Sequence, residues 1–413
     1  MPSQDPSNPE HDLVVFGATS FVGKLTAKYL AENAPADAKI ALAGRSQEKL
    51  EQVRSNLPGG ASEWPLIIAD STDRDSLERM VAATRAVITT VGPYQEYGMP
   101  LVEACAQSGT NYADLTGEVL FIRESIDAAH GTAEANGARI VHTCGFDSIP
   151  SDLGVHLLHR YAAEHDLGDL GETTMVVKAT RGGVSGGTVA SLRGQIIRAR
   201  EDRSALKTMT DPYSLTPNPS AEPDRGESDP KGVSHDSELG GYLAPFIMGT
   251  INSRVVRRSN ALRDHAYGKE FRYRELMAMG ELPLGPVKAA GVVTGIGAVV
   301  AGYATTPTRK LLDRLLPDPG EGPDESSREK GFFKIETHAE TSSGQKLVCK
   351  IGAQGDPGYK ATAVMLGEAG LALALDGDAL PDHAGVLTPS TGIGDRLLER
   401  LRDAGHTYEV ERA

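Results

Sequence analysis

At 413 residues the chain is about two to three times a typical domain, enough for more than one buried core. A formal net charge of −14 repels phosphate backbones and sets nucleic acid aside as a partner. Cys105, Cys144 and Cys349 form no CxxC pair and have no His cluster beside them, which argues against a disulfide framework or a zinc site and for a reducing cytoplasm.

The opening MPSQDPSNPEHD is polar and Pro-rich, without the basic start and apolar run of a signal peptide; residues 1–11 read as a disordered arm. From 12 to 150, apolar runs at 13–16, 40–43, 66–69, 86–91, 112–115 and 139–143 alternate with helix-like stretches. That alternation predicts an α/β domain, a doubly wound parallel sheet of Rossmann type. Several runs are apolar throughout, as suits strands covered on both faces.

The first run leads into FGATSFVG, residues 16–23. Gly17 takes the tight turn of a phosphate loop, and Gly23 allows helix to pack on strand. Ser20 stands where the middle glycine is usual; its hydroxyl can cap the helix or meet a phosphate. Thr19, Phe21 and Val22 complete the loop, and the helix N-terminus favours the pyrophosphate. The second run ends Gly44-Arg45-Ser46. An NAD site usually places an acid near this point for the ribose hydroxyls. Arg45 instead offers a fork of donors to the 2′-phosphate of NADPH, with Ser46 and Lys49 beside it. Asp70 and Ser71, after the third run, are placed near the adenine. The fourth run ends in Val91-Gly92-Pro93 beside the ribose and nicotinamide, with Tyr94 and Tyr97 following.

Beyond 150 the rhythm changes. Ser151–Glu164 and Val189–Glu201 read as helices, 173–180 as a strand, and 332–341 with 346–355 as a hairpin. These predict a second, α+β domain over 151–384. Polar breaks interrupt it at 211–238 and 317–331; the first reads as disordered or as a lid. Residues 289–304 are apolar and rich in small side chains, and 308–317 are amphipathic. The run is short of the roughly 20 residues of a membrane span. A buried helix, an interfacial segment or the wall of a greasy channel remain open. A helix at 359–372 precedes a tail with an amphipathic helix at 395–404 and a last strand.

The stretches GATSFVG, AGRS, VGPYQEYGMPLVEACAQSGTNYADLTGE (91–118) and CGFDSIPSDLG (144–154) together resemble the saccharopine dehydrogenase-like oxidoreductases, and within them the trans-acting enoyl reductase type. RGGVSGGTVAS and GVLTPSTGIGDRLLERL extend the resemblance over most of the chain. It implies an NADPH-binding Rossmann domain, an α+β domain for substrate and oligomerisation, and a C-terminal segment, 385–413, packing back on the first domain. It also implies reduction of a carbon–carbon double bond in an acyl or polyketide chain made by a synthase. The partners expected are a hydrophobic acyl or polyketide substrate linked to a synthase and a second copy of the chain in a homodimer; separately, the apolar and amphipathic residues 289–317 would suit peripheral membrane contact.

Reducing an enoyl thioester builds charge on the carbonyl oxygen and needs a proton at the α-carbon. Tyr94, Tyr97, Thr116 and Ser148 are candidate donors, and Asp114 and Asp147 candidate carboxylates. Tyr94, Asp147 and Asp114 are the catalytic expectations. Each Asp could instead be a helix cap, within DLTGE and GFDSIPSD. No Tyr is followed four residues on by Lys, and GxSxG, HExxH and P-loop motifs are lacking. No metal site is expected. An amino-acid dehydrogenase and a non-catalytic NADP(H) sensor are the competing functions.

Overall fold

The computed structural model of the chain describes residues 9–183, 185–223, 225–303, 308 and 322–413. Two compact units are present, and the chain crosses between them more than once. Of the described residues, the first holds those up to Phe146, Gly322 and Tyr359–Ala404. The second holds those from Asp147 to 308, Pro323–Gly358 and Gly405–Ala413.

The first unit is built on β1 (His11–Phe16), β2 (Ile40–Gly44), β3 (Leu66–Ile68), β4 (Thr84–Thr89), β5 (Asn111–Asp114) and β6 (Arg139–Val141). Every pairing is parallel, and Gly385–Leu387 (β13) adds a seventh strand beside β6. The order β13-β6-β5-β4-β1-β2-β3 reverses direction at β1, which lies between β4 and β2. That reversal is the topological switch point, where such sheets bind ligands beyond the carboxyl ends of their strands. Leu13 to Phe16, Ile40 to Ala43 and Ala86 to Ile88 are buried, so their apolar runs are continuous.

The helix Thr362–Leu375 also belongs to this unit, so its return begins at Tyr359 rather than at 385. Its sequence, TAVMLGEAGLALAL, is small enough to approach the sheet closely: a Cβ on Gly370 would come 2.6 Å from Ile88. Glu368 on the same helix accepts from Tyr29 Oη at 2.5 Å and from Arg400 at 3.1 Å. Burial beside that carboxylate pushes the Tyr29 phenol far above its ordinary range.

The second unit contains β7 (Leu170–Arg181), β8 (Ser234–Asp236), β9 (Gly241–Pro245), β10 (Arg272–Gly280), β11 (Phe332–Thr341), β12 (Lys346–Gln354) and β14 (Thr407–Arg412). They form a mixed sheet in the order β14-β12-β11-β7-β10-β9-β8, parallel only between β7 and β10. The helix Ile149–Glu164 packs on β11 and β12, where a Cβ on Gly154 would lie 2.7 Å from Ile351. The last strand is therefore in this sheet, not in the first unit.

Two sequence expectations change here. The described part of 211–238 is not a loose excursion. Three buried arginines on the helix Gly249–Ala261 hold it down. Arg254 donates to both Asp229 oxygens at 3.1 and 3.2 Å, Arg257 to Glu227 at 2.9 Å, and Arg258 to the Leu215 carbonyl at 2.6 Å. Acids that read as solvated are partners for buried cations. Arg254→Ala is expected to raise the rate of limited proteolysis within 211–238 on the order of tenfold, the result of losing ~1.4 kcal/mol of local stability. An unchanged cleavage rate would show that the arginine does not restrain the segment. The second change is that the apolar helix Gly285–Gly302 is not buried: only Gly285 and Ala289 are. The amphipathic stretch 308–317, apart from Thr308, and residues 1–8 of the expected arm lie outside the described residues.

Candidate functional site

At the switch point, Gly17 follows β1 with φ of +84°, a left-handed conformation that glycine adopts freely. A Cβ there would come 2.8 Å from the Val91 side chain and 2.9 Å from Thr90 Oγ1. A Cβ on Gly23 would come 2.2 Å from the Gly17 carbonyl. Both glycines are therefore demanded by close packing within the turn, at the start of the helix Phe21–Asn33.

Ser20 is the N-cap of that helix. Its Oγ accepts from Gly23 N at 2.9 Å and lies 2.8 Å from Thr90 Oγ1, which donates to the Gly17 carbonyl at 3.0 Å. With the Thr90 proton spent on Gly17, the Ser20 proton goes to Thr90. The serine hydroxyl thus braces the turn from within. Thr90, missed in the sequence, is the strand residue that completes this brace. Thr19, Phe21 and Val22 are partly exposed on the mouth of the turn.

Arg45 follows β2 and is exposed, with no ion pair among the described residues. Ser46 caps the next helix through a 3.4 Å bond from Lys49 N. Asp70 accepts from Thr72 N and Oγ1 at 2.9 and 2.8 Å, which holds its carboxyl below the usual range. Its role here is to shape the turn after β3, with Ser71 buried beside it. Val91, Gly92 and Pro93 leave β4 at the sheet's carboxyl edge, Gly92 exposed.

The catalytic expectations divide. Tyr94 is buried; its phenol donates to the Thr89 carbonyl at 3.1 Å and accepts from Leu115 N at 3.2 Å. Burial pushes that phenol well above its ordinary range. Its position ties β4 to β5 and gives no open face for a reacting group. Tyr97, on the same short helix, is the exposed phenol. Asp114 is sealed from solvent and fully engaged. One oxygen accepts from Tyr112 Oη at 2.8 Å and faces His142 Nδ1 at 2.7 Å; the other accepts from Thr116 N and Thr143 N, both at 3.0 Å. His142 Nε2 lies 2.8 Å from Ser125 Oγ. This Ser–His–Asp series is a buried brace that pins Thr143 at a φ of +65°. Thr116 caps Glu118 N at 3.1 Å, and Glu118 accepts from Tyr94 N and Gln95 N at 3.0 and 2.8 Å. For Asp114 and Thr116 the capping alternative describes the geometry.

Asp147, in the second unit, differs. Ser148 sits at the cap position of the following helix, but its hydroxyl goes to Asn252 Oδ1 at 2.8 Å. Asp147 is half-buried and accepts only a long bond, 3.5 Å, from Thr188 Oγ1 among the bonds resolved for it. Burial pushes its carboxyl up to about 6, with the Thr188 bond opposing. A carboxyl poised there can hold and release a proton near neutrality. Among the described residues no group of three His, Cys, Asp or Glu is arranged to hold a metal ion.

Residues 13–141 match the family described as saccharopine dehydrogenase NADP binding domain. The trans-acting enoyl reductase of Mycobacterium ulcerans is 46% identical over 412 residues, 98% of this chain and 98% of that one. The saccharopine dehydrogenase (L-Glu forming) of Saccharomyces cerevisiae superposes with a TM-score of 0.53 at 14% identity, covering 97% of this chain and 99% of that one. The homospermidine synthase of Legionella pneumophila, in complex with NAD, gives 0.52 at 11% identity over 98% and 92%. These two structures are similar in fold alone.

Proposed function

Because the chain belongs to the trans-acting enoyl reductases of the saccharopine dehydrogenase-like oxidoreductases, we propose that it reduces the carbon–carbon double bond of an enoyl thioester on a lipid or polyketide chain, with NADPH as reductant. The observation that carries the reading is the pair at the switch point: a tight turn with no room for a Cβ at Gly17 or Gly23, opening the helix Phe21–Asn33, and an exposed Arg45 beyond β2. Phosphates suit the turn and the helix N-terminus, and Arg45 suits an added 2′-phosphate. When bound, NADPH supplies the hydride.

The chain's own residues do the rest. Gly17, Thr19, Ser20, Phe21, Val22 and Gly23 form the phosphate turn. Val91, Gly92 and Pro93 border the nicotinamide side of the sheet edge. Tyr97 replaces Tyr94 as the phenol able to meet a developing oxyanion. Asp147 holds the proton destined for the α-carbon. An acyl chain delivered by a synthase is the substrate class, in a reducing cytoplasm that suits three buried cysteines held in no disulfide. A polycarboxylate substrate is less well served, because Arg254 and Arg257 are committed to the chain's own acids.

The test is NADPH oxidation driven by an enoyl thioester with a long acyl chain, followed across pH. If Asp147 must be protonated, the rate falls as pH rises through about 6. Asp147→Asn is expected to lower kcat on the order of 10²-fold, the size of general acid catalysis, and to leave NADPH affinity unchanged. An unaltered kcat and pH profile in the variant would remove Asp147 from the chemistry. No enoyl-dependent oxidation by the wild type would remove the reductase reading itself.

A further inference from the structure

We propose that the helix Gly285–Gly302 is a lipid-binding element that lies along the membrane interface. The proposal is independent of the reductase reading and concerns where the protein works. The N-terminal end of the helix is fastened to the second unit, where Gly285 packs so closely that a Cβ would come 2.1 Å from the Gly280 carbonyl; at the other end Tyr303, just past the last turn, is buried. Between these two points, none of residues 290–302 is buried. The helix therefore runs along the surface and shows its side to the surroundings.

Water is a poor environment for that side. Lys288 is the one charged residue in the helix, and Thr294 the one polar side chain after it. Glycines at 291, 295, 297 and 302 each cost about 1 kcal/mol relative to alanine in a helix open to water. Exposed Leu282, Leu284 and Val287 extend the apolar side at its N-terminal end, and Val300 at the other. A helix that docks in a protein groove keeps a polar face for solvent. This one offers only Lys288 and Thr294 as polar side chains; the rest of what it presents is apolar or backbone.

Length and charge favour a bilayer surface as the occupant. Residues 290–302 span about 20 Å at 1.5 Å per residue, short of the ~30 Å hydrocarbon core. With the N-terminal end fastened and Tyr303 buried at the other, lying in the interface is the available geometry, not crossing. Lys288, exposed at the N-terminal end of the charge-free run, stands where a headgroup phosphate would meet it. The chain's net charge of −14 opposes general attraction to anionic lipid, so binding is driven by apolar burial. It should therefore persist in high salt and on zwitterionic lipid.

The experiment is flotation of the purified full chain with phosphatidylcholine vesicles, with and without phosphatidylglycerol, in low and high salt. Wild type is expected to float in all four. Val287→Asp/Val300→Asp is expected to reduce the floating fraction on the order of tenfold or more, since it sets two charges in the exposed apolar side. Val287→Leu/Val300→Leu should float as wild type does. Far-UV circular dichroism and melting temperature, expected to be equal in all three proteins, report that each is folded. Failure of the wild type to float overturns the proposal. So does a dimer in light scattering that the Asp variant splits while no protein floats, which would give this side to a second copy of the chain.

Discussion

Asp114→Ala is expected to cost the first unit about 3–5 kcal/mol, a large part of the 5–15 kcal/mol that holds a typical domain together. The estimate comes from what the change strands. Tyr112 Oη, His142 Nδ1, Thr116 N and Thr143 N all address this carboxylate at 2.7–3.0 Å. None can turn to water, because Asp114, Tyr112 and His142 are 0–2% exposed. A shift on this scale lowers the melting temperature on the order of 10 °C in a unit of this size. Asp114→Asn keeps the shape but presents an NH2 group to donors, so it recovers only part of the loss. The deciding comparison sets melting temperature beside kcat for the protein that remains folded. A bracing residue lowers the first and spares the second. If the melting temperature holds and kcat collapses, Asp114 belongs to the reaction after all.

The contrast between Asp114 and Asp147 shows where sequence reading stops. Both follow strands, both precede helices, and both sit in GxD- or DxT-like turns that can cap. What separates them is distant in sequence: His142 is 28 positions from Asp114, and Thr188 is 41 from Asp147. The phosphate turn was legible because its demands are local. Gly17 and Gly23 are fixed by each other and by the end of β4. The first sheet was legible because strands covered on both faces are apolar throughout. The segment 211–238 misled because its acids are matched by arginines on a later helix, and composition alone cannot pair them. The helix Gly285–Gly302 misled in the opposite sense: its apolar sequence suits a core, yet tertiary packing leaves it outside. The helix Thr362–Leu375 has similar composition and is buried against the first sheet. Hydropathy does not distinguish the two.

Arg45→Ala is expected to weaken NADPH binding by about 10–100-fold and to leave NADH binding nearly unchanged. Hydrogen bonds to a charged group contribute about 1.5–3 kcal/mol, and Arg45 has no competing ion pair among the described residues. Asp70 accepts from Thr72 and feels the Arg45 charge only through space, with no ion pair between the two among the described residues. The guanidinium is thus left for a ligand, at the position where an NAD-type site would carry an acid. Against a net charge of −14, a single local cation matters more than it would on a basic protein. The selectivity should also fade with salt, because Arg45 is exposed and its attraction is screened over ~10 Å at moderate ionic strength. Fluorescence titration of both nucleotides at two salt concentrations measures each term. Equal loss of NADPH and NADH affinity would mean that Arg45 supports the turn rather than reading the phosphate. An unchanged ratio with unchanged affinities would shift that role to Lys49, one helical turn on.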